Sequence, residues 1–426
     1  MRSFVIACGG AAIGAATVIA CATSEANDEV VPDSGQAPGT SVPEAAARED
    51  VEAGTADASV DGARCSTAGW CETVLPDANL GFFDIWPFDH RAFAIATSET
   101  LGIRILEWTD AASKWQYIDD ATQNEPEVGP MLAGKIWAPT ENEVYFGAGD
   151  GYVYHGTRPD TPSTTWSWTR VRLPYDGPRI GVNSVGLGGS PLLGIWGTSS
   201  NDVYAWYNNS IFHWSSVDGG AAGWNREYVA DDIDAESERL FFVAAAGSGP
   251  DDVWFSGARF RTNFNQCPLV VRKHDGVYQR IADCTSSGST WAPRGEMLLI
   301  AGTAGTYAQL SELQAIGPGQ LVGSVGRDVV RISVTGQSYV AELAPPLPDW
   351  VTAERIPLWA SADTLWLGAG TLILRGTDLW TGGGYAVSSL AINGAPLSRL
   401  IYQVRGTSNS NLWAVGGLHA HHKTTP

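Results

Sequence analysis

Lysine is nearly missing from this chain: there are four in 426 residues, so Lys and Arg together number 26 against 46 Asp and Glu, and the formal net charge is −20. A field of that sign repels phosphate backbones and anionic lipid headgroups, which excludes nucleic acid as a partner class. Charged residues of either sign make up only 17% of the chain, and Lys and Glu are too scarce to face many helices with polar side chains. Motifs that announce common chemistries are absent as well. The sequence has no phosphate-binding glycine loop, no nucleophile elbow, no H-E-x-x-H and no C-x-x-C. No catalytic residue is nominated. What is abundant instead is Gly, with 49, and Trp, with 18, the composition of a turn-dense all-β protein.

Residues 1–20 place one Arg at position 2 ahead of an apolar run from Phe4 to Ala20, the layout of an export signal that is cleaved rather than kept as a membrane span. Val18-Ile19-Ala20-Cys21 resembles a bacterial lipobox, which implies lipidation at Cys21. Residues 22–64 then carry ten acidic side chains against two Arg and almost no large apolar ones. Such a segment cannot bury enough apolar surface to offset its ordering entropy, so 21–64 is expected to be an acidic tether.

Beyond Cys8 and Cys21, four cysteines remain in a chain read as exported: Cys65, Cys71, Cys267 and Cys284. Asp275-Gly276 is a two-residue hairpin signal, and counting outward from it sets Cys267 opposite Cys284 in a non-hydrogen-bonded register. Pro268 is the residue that could shift that count by a bulge. Cys65 with Cys71 follows by elimination. A zinc site from the same four lacks the paired spacing such sites use.

Ile195 to Trp214 reads as three short strands, and imperfect copies recur. Aligned on the residue that opens the second strand, the copies fall at Phe93, Tyr145, Tyr204, Trp254, Leu321, Trp366 and Trp413, spaced by 45 to 67 residues. That period fits four-stranded propeller blades. An Asx-rich turn precedes most copies, and a polar fourth strand follows most. The last copy ends after its third strand, whereas Trp70 to Leu75 matches the fourth-strand pattern without three strands before it. The expectation is an all-β, seven-bladed β-propeller of four-stranded antiparallel blades over 65–426, closed by an N-terminal outer strand in the last blade.

The phrases GIWGTSSNDVYAW and VRGTSNSNLWAVGG resemble the W-G-[TS]-S-x-N-D-V-[WY]-A-V-G repeats of exported propeller lipoproteins typical of myxobacteria, and STAGWCETVLP is similar to their Cys-containing leading segment. The resemblance spans about residues 65–423. It implies anchoring at the cell envelope, on the outer membrane, and no assigned activity. The expectation is a monomer that touches the membrane through its lipid anchor alone, with an unknown protein or glycan as partner at the envelope. The function expected is a binding or scaffolding module; the alternative is a glycan-directed hydrolase or lyase working from the propeller funnel.

Three further patterns suggest ligands. His419, His421 and His422 form an H-x-H-H cluster whose alternate members share a strand face, a weak metal candidate beside the plainer reading of third-strand repeat positions such as His155 and His213. Asp231, Asp232, Asp234, Glu236 and Glu238 make an acidic loop that is open to calcium but lacks the glycine and distal glutamate of an EF-hand. Ser216 to Gly220 followed by Trp224 resembles the Asp-box turn of sialidase-type propellers, a structural motif with its Trp one residue late. No cofactor is assigned.

Overall fold

The structure, a computed structural model, describes residues 64–129, 132–159, 165–175, 193–216, 220–261, 266–287, 290–300, 308–353, 355–361 and 363–425. They belong to one compact unit, Asp61–Pro426. Cys21, the expected export signal and all but the last residue of the acidic segment lie outside the described residues, as do 217–219 of the expected Asp-box turn.

Seven four-stranded antiparallel meanders make the propeller. Blades one to six span 80–117, 133–172, 193–229, 239–282, 310–343 and 358–388; the seventh is 401–423 completed by Trp70–Glu72. The second strands show why the sequence lacks clean alternation there. Asp202–Tyr207 and Thr364–Ala369 are buried on both faces because blades pack on either side, so apolar residues run on continuously. Outer strands such as Ser338–Leu343 keep the alternating exposure of a half-covered edge. The sixth blade also has an outer strand, Gly384–Ser388, which is not among the fourth strands read from the sequence.

Closure is by Trp70↔Lys423, Cys71↔His422 and Glu72↔His421. The paired strand is shorter than the 70–75 expected. Thr73 still donates its N–H to the Ala420 carbonyl at 3.0 Å, but Val74 bridges Lys114 of the first blade and accepts from Trp115 N–H at 3.2 Å. The segment therefore stitches the seventh blade to the first. Trp70 is fully buried, edge-on to Trp366 at 6.0 Å, with its indole N–H donated to Ser388 Oγ at 2.9 Å.

Two registers differ from expectation. In the fifth blade the residue equivalent to the aromatic of other copies is Val322, not Leu321: Val322 packs with Leu358, Leu365 and Leu367 of the sixth blade, whereas Leu321 packs back against Trp254 and Val270 of the fourth. With no ring at 322, the nearest large apolar residue misled the alignment by one, and a one-residue slip exchanges faces. In the fourth blade Asp275 and Gly276 have φ of 48° and 76°, as a tight hairpin turn requires. Its ladder is then interrupted by a bulge at Ile281 and ends at Ala282, so Cys267 and Cys284 do not face each other as ladder partners. The two are nonetheless disulfide-bonded, with Cα atoms 6.3 Å apart, and Cys65 is bonded to Cys71. Cys284–Ser287 instead starts a separate small hairpin with Thr290–Pro293.

Candidate functional site

The inner strands present a cluster of charge to the central channel. Asp84 comes from the first blade, Lys135 from the second, Glu312 from the fifth, and Gln403 and Arg405 from the seventh. Glu312 sits at a strand irregularity with φ of 53°, a left-handed conformation that costs a non-glycine residue of order 1–3 kcal/mol. Its carboxylate meets Lys135 Nζ at 3.3 Å and accepts from Gln403 Nε2 at 2.9 Å. The same amide donates to Asp84 Oδ1 at 3.1 Å, Ile136 N–H donates to Asp84 Oδ2 at 3.1 Å, and Arg405 Nη2 lies 3.5 Å from Asp84 Oδ1. The Gln403 amide oxygen accepts from Val404 N–H at 2.9 Å.

Two carboxylates and two cations thus neutralise one another. Burial opposes ionisation of Glu312, but Lys135 and the Gln403 amide outweigh it and hold its carboxyl below the usual range. The cavity among these side chains is about 20 Å³, room for about one water molecule. Carboxylates and an arginine do converge here, the arrangement that would favour an enzyme, but Glu312 is held toward the ionised form, whereas a general acid needs a raised pKa.

A second pattern recurs between blades. Five blades stack the second-strand aromatic on a third-strand imidazole or guanidinium: Tyr145 on His155 at 4.1 Å, Tyr204 on His213 at 4.3 Å, Trp413 on His422 at 4.1 Å, and Trp254 and Trp366 under Arg272 and Arg375 at 5.0 and 5.6 Å. Two residues before the aromatic, a polar side chain locks the set. Asp252 accepts from Arg272 Nε at 2.8 Å and from Gly319 N–H of the next blade at 2.8 Å; Glu143 binds His155 at 3.0 Å and accepts from Ser200 of the next blade at 2.5 Å. Burial opposes ionisation of Glu143, but His155, Ser200 and Tyr145 override it and lower its pKa to about 2. The first blade inverts the charges, Arg91 contacting Glu107 and Glu141 beside Phe93. The Asx turns read from sequence are the visible part of these contacts.

The sequence-nominated residues are dispersed. His422 belongs to its blade's stack and binds Asn411 Oδ1 at 2.8 Å, while His419 and His421 point to the opposite face with ring centroids 5.2 Å apart. Burial lowers all three pKa values to about 4. Among the described residues no three His, Cys, Asp or Glu side chains are grouped to hold a metal ion.

In the acidic loop, Asp232, Asp234 and Glu238 are met by arginines. Arg280 and Arg294 reach Asp232 and Asp234 at 2.7 and 2.8 Å, and Arg259 and Arg261 both reach Glu238 at 2.9 Å. Arg259 is fully buried and also pairs with the buried Asp283 at 2.8 Å. Asp231, Asp234 and Glu236 are exposed, Asp234 while paired with Arg294. No spacing in the sequence announces these ion pairs, because the partners lie on different strands.

No protein-family model and no curated protein matches the chain. Among solved structures, YCF48 from Cyanidioschyzon merolae is similar at TM-score 0.51 and 12% identity, over 84% of this chain and 99% of that one. The WD40 β-propeller domain of Doa1 gives TM-score 0.49 and 9% identity, over 83% and 96%. The likeness to YCF48 concerns the fold alone: the chain is a seven-bladed β-propeller.

Proposed function

We propose that this protein is a lipid-anchored binding or scaffolding module of the cell envelope, held from the outer membrane at Cys21 by the acidic segment that follows. The observation that carries the binding reading is the mutually paired charge cluster on the inner strands. Asp84, Lys135, Glu312, Gln403 and Arg405 satisfy one another and Glu312 is held ionised rather than poised as a general acid, which favours recognition by the loop faces and blade interfaces. Two disulfides support an oxidising compartment. The resemblance to exported propeller lipoproteins supports the anchor.

The test has two arms. Cys21→Ser should release soluble protein or stall processing of the precursor; unchanged membrane fractionation and processing contradict the anchor. The wild-type protein should generate no new reducing ends from a panel of envelope polysaccharides. Turnover that vanishes in Glu312→Gln would replace the binding reading with the hydrolase or lyase.

A further inference from the structure

The strand that receives the closing segment, His419–Lys423, buries His419, His421, His422 and Lys423 together. His419, His421 and Lys423 alternate along the face that looks to the sixth blade, the face on which Trp70 meets Trp366 and Glu72 stands opposite His421. His422 lies on the other face, against Trp108 and Trp413. The rings of His419 and His421 have their centroids 5.2 Å apart. Both nitrogens of His421 are buried without a hydrogen-bond partner, and His419 Nε2 meets the Leu400 carbonyl at 3.2 Å. Buried polar groups left in this state call for a reason beyond packing.

The surroundings give little support to charge on the pair. Glu72 and the backbone carbonyls of Leu400 and Arg399 favour a charged His419, but burial and His421 outweigh them, and burial alone acts on His421. Glu72 is itself paired with Arg64 at 2.8 Å, and Lys423, next along the face, is opposed by Arg375. Protons on both rings therefore set two like charges side by side in a buried place. That cost is relieved once the neighbouring strand leaves and water reaches the rings. Three ladder pairs and the Thr73 N–H tie that strand to His419–Lys423, so its departure disrupts far less than the unfolding of a blade.

We propose that His419 and His421 form an acid-operated latch on the ring: when both are protonated, Trp70–Glu72 leaves the seventh blade while the other strands stay folded, and His419–Lys423 becomes an open edge. Both rings have pKa values of about 4 when the segment is seated, against about 6.5 in solvent, so the open state takes up protons first as pH falls. Between pH 7 and 5 the opening equilibrium rises roughly 20-fold per histidine and on the order of 400-fold for the pair. The latch does not depend on the binding reading.

Native-state hydrogen exchange of the folded mature protein, read by mass spectrometry at pH 7 and 5 across low urea concentrations and corrected for intrinsic rates, tests it. Amides of Trp70–Glu72 and His419–Lys423 should lose protection by about that factor at pH 5, through an opening with weak urea dependence. Amides of Asp202–Tyr207 should stay more protected and keep the steep urea dependence of global unfolding. In the double variant His419→Leu/His421→Leu the closing segment should keep its protection on acidification. If that variant fails to fold, His421→Leu alone decides, with the loss reduced to about 20-fold.

An undiminished acid-dependent loss in the folded variant overturns the latch. So does a wild-type closing segment that loses no protection between pH 7 and 5, or one whose urea dependence equals that of Asp202–Tyr207, since the segment then opens only with the whole ring.

Discussion

Arg259 shows what a single residue can hold in place. Its guanidinium, with no exposure, binds Glu238 and Asp283, which are also fully buried, and Arg261 and Arg280 complete the charge balance. Removing the one cation common to both carboxylates leaves them buried with part of their pairing gone, so Arg259→Ala is expected to cost about 3–5 kcal/mol in urea unfolding. A loss below about 1 kcal/mol would mean that water or the neighbouring arginines substitute for it. The buried histidines set the acid limit. His419, His421 and His422 have folded pKa values of about 4 against an unfolded value near 6.5, so the unfolded chain binds protons first as pH falls. Their contribution is intact above pH 6.5 and is lost between there and about 4, roughly 2–3 kcal/mol per histidine by pH 4.5. His213 runs the other way, since Asp202 and Glu227 overcome burial and raise its pKa. Urea midpoints at pH 7 and 4.5 for the wild type and His421→Leu check the sign: the variant should lose less stability on acidification.

At the scale of elements, turns and strands were legible where local chemistry specifies them. Asp275-Gly276 announced its hairpin because few other dipeptides accept two positive φ values. A Cβ at Gly276 would meet nothing within 4 Å, so Gly276→Val should cost about 1–2 kcal/mol through backbone strain alone, read as a shift in the urea midpoint with an unchanged slope. A neutral substitution would show that the turn relaxes without penalty. The Cys267 and Cys284 register was less legible, because the bulge at Ile281 depends on where the following chain leaves the sheet for its own hairpin, not on the turn. Val322 was misplaced for a related reason. Repeat alignment follows large side chains, and the distinguishing feature of the fifth blade is the lack of one. The channel cluster was invisible in sequence: Asp84, Lys135, Glu312, Gln403 and Arg405 are brought together only when the ring closes, and Glu312 reaches the channel through a backbone conformation that no pattern of residue types predicts.

For the whole molecule, closure governs the rest. Two gaps in the repeat pattern fitted each other, so the seven-blade count and the N-terminal outer strand were readable before any coordinates. The account makes Trp70–Glu72 the last strand of the last blade, braced by Cys65–Cys71 and continued by Thr73 and Val74 onto the first blade. Loss of that segment removes the buried Trp70, worth about 3–5 kcal/mol by itself, and opens the edge formed by His419–Lys423. Scanning calorimetry of residues 22–426, 65–426 and 77–426 puts this to the most direct test. Removal of 22–64 should leave the transition where it was, whereas removal of 65–76 should lower its midpoint by at least several degrees and broaden it as the first and seventh blades separate. Equal midpoints for all three chains would contradict the closed ring.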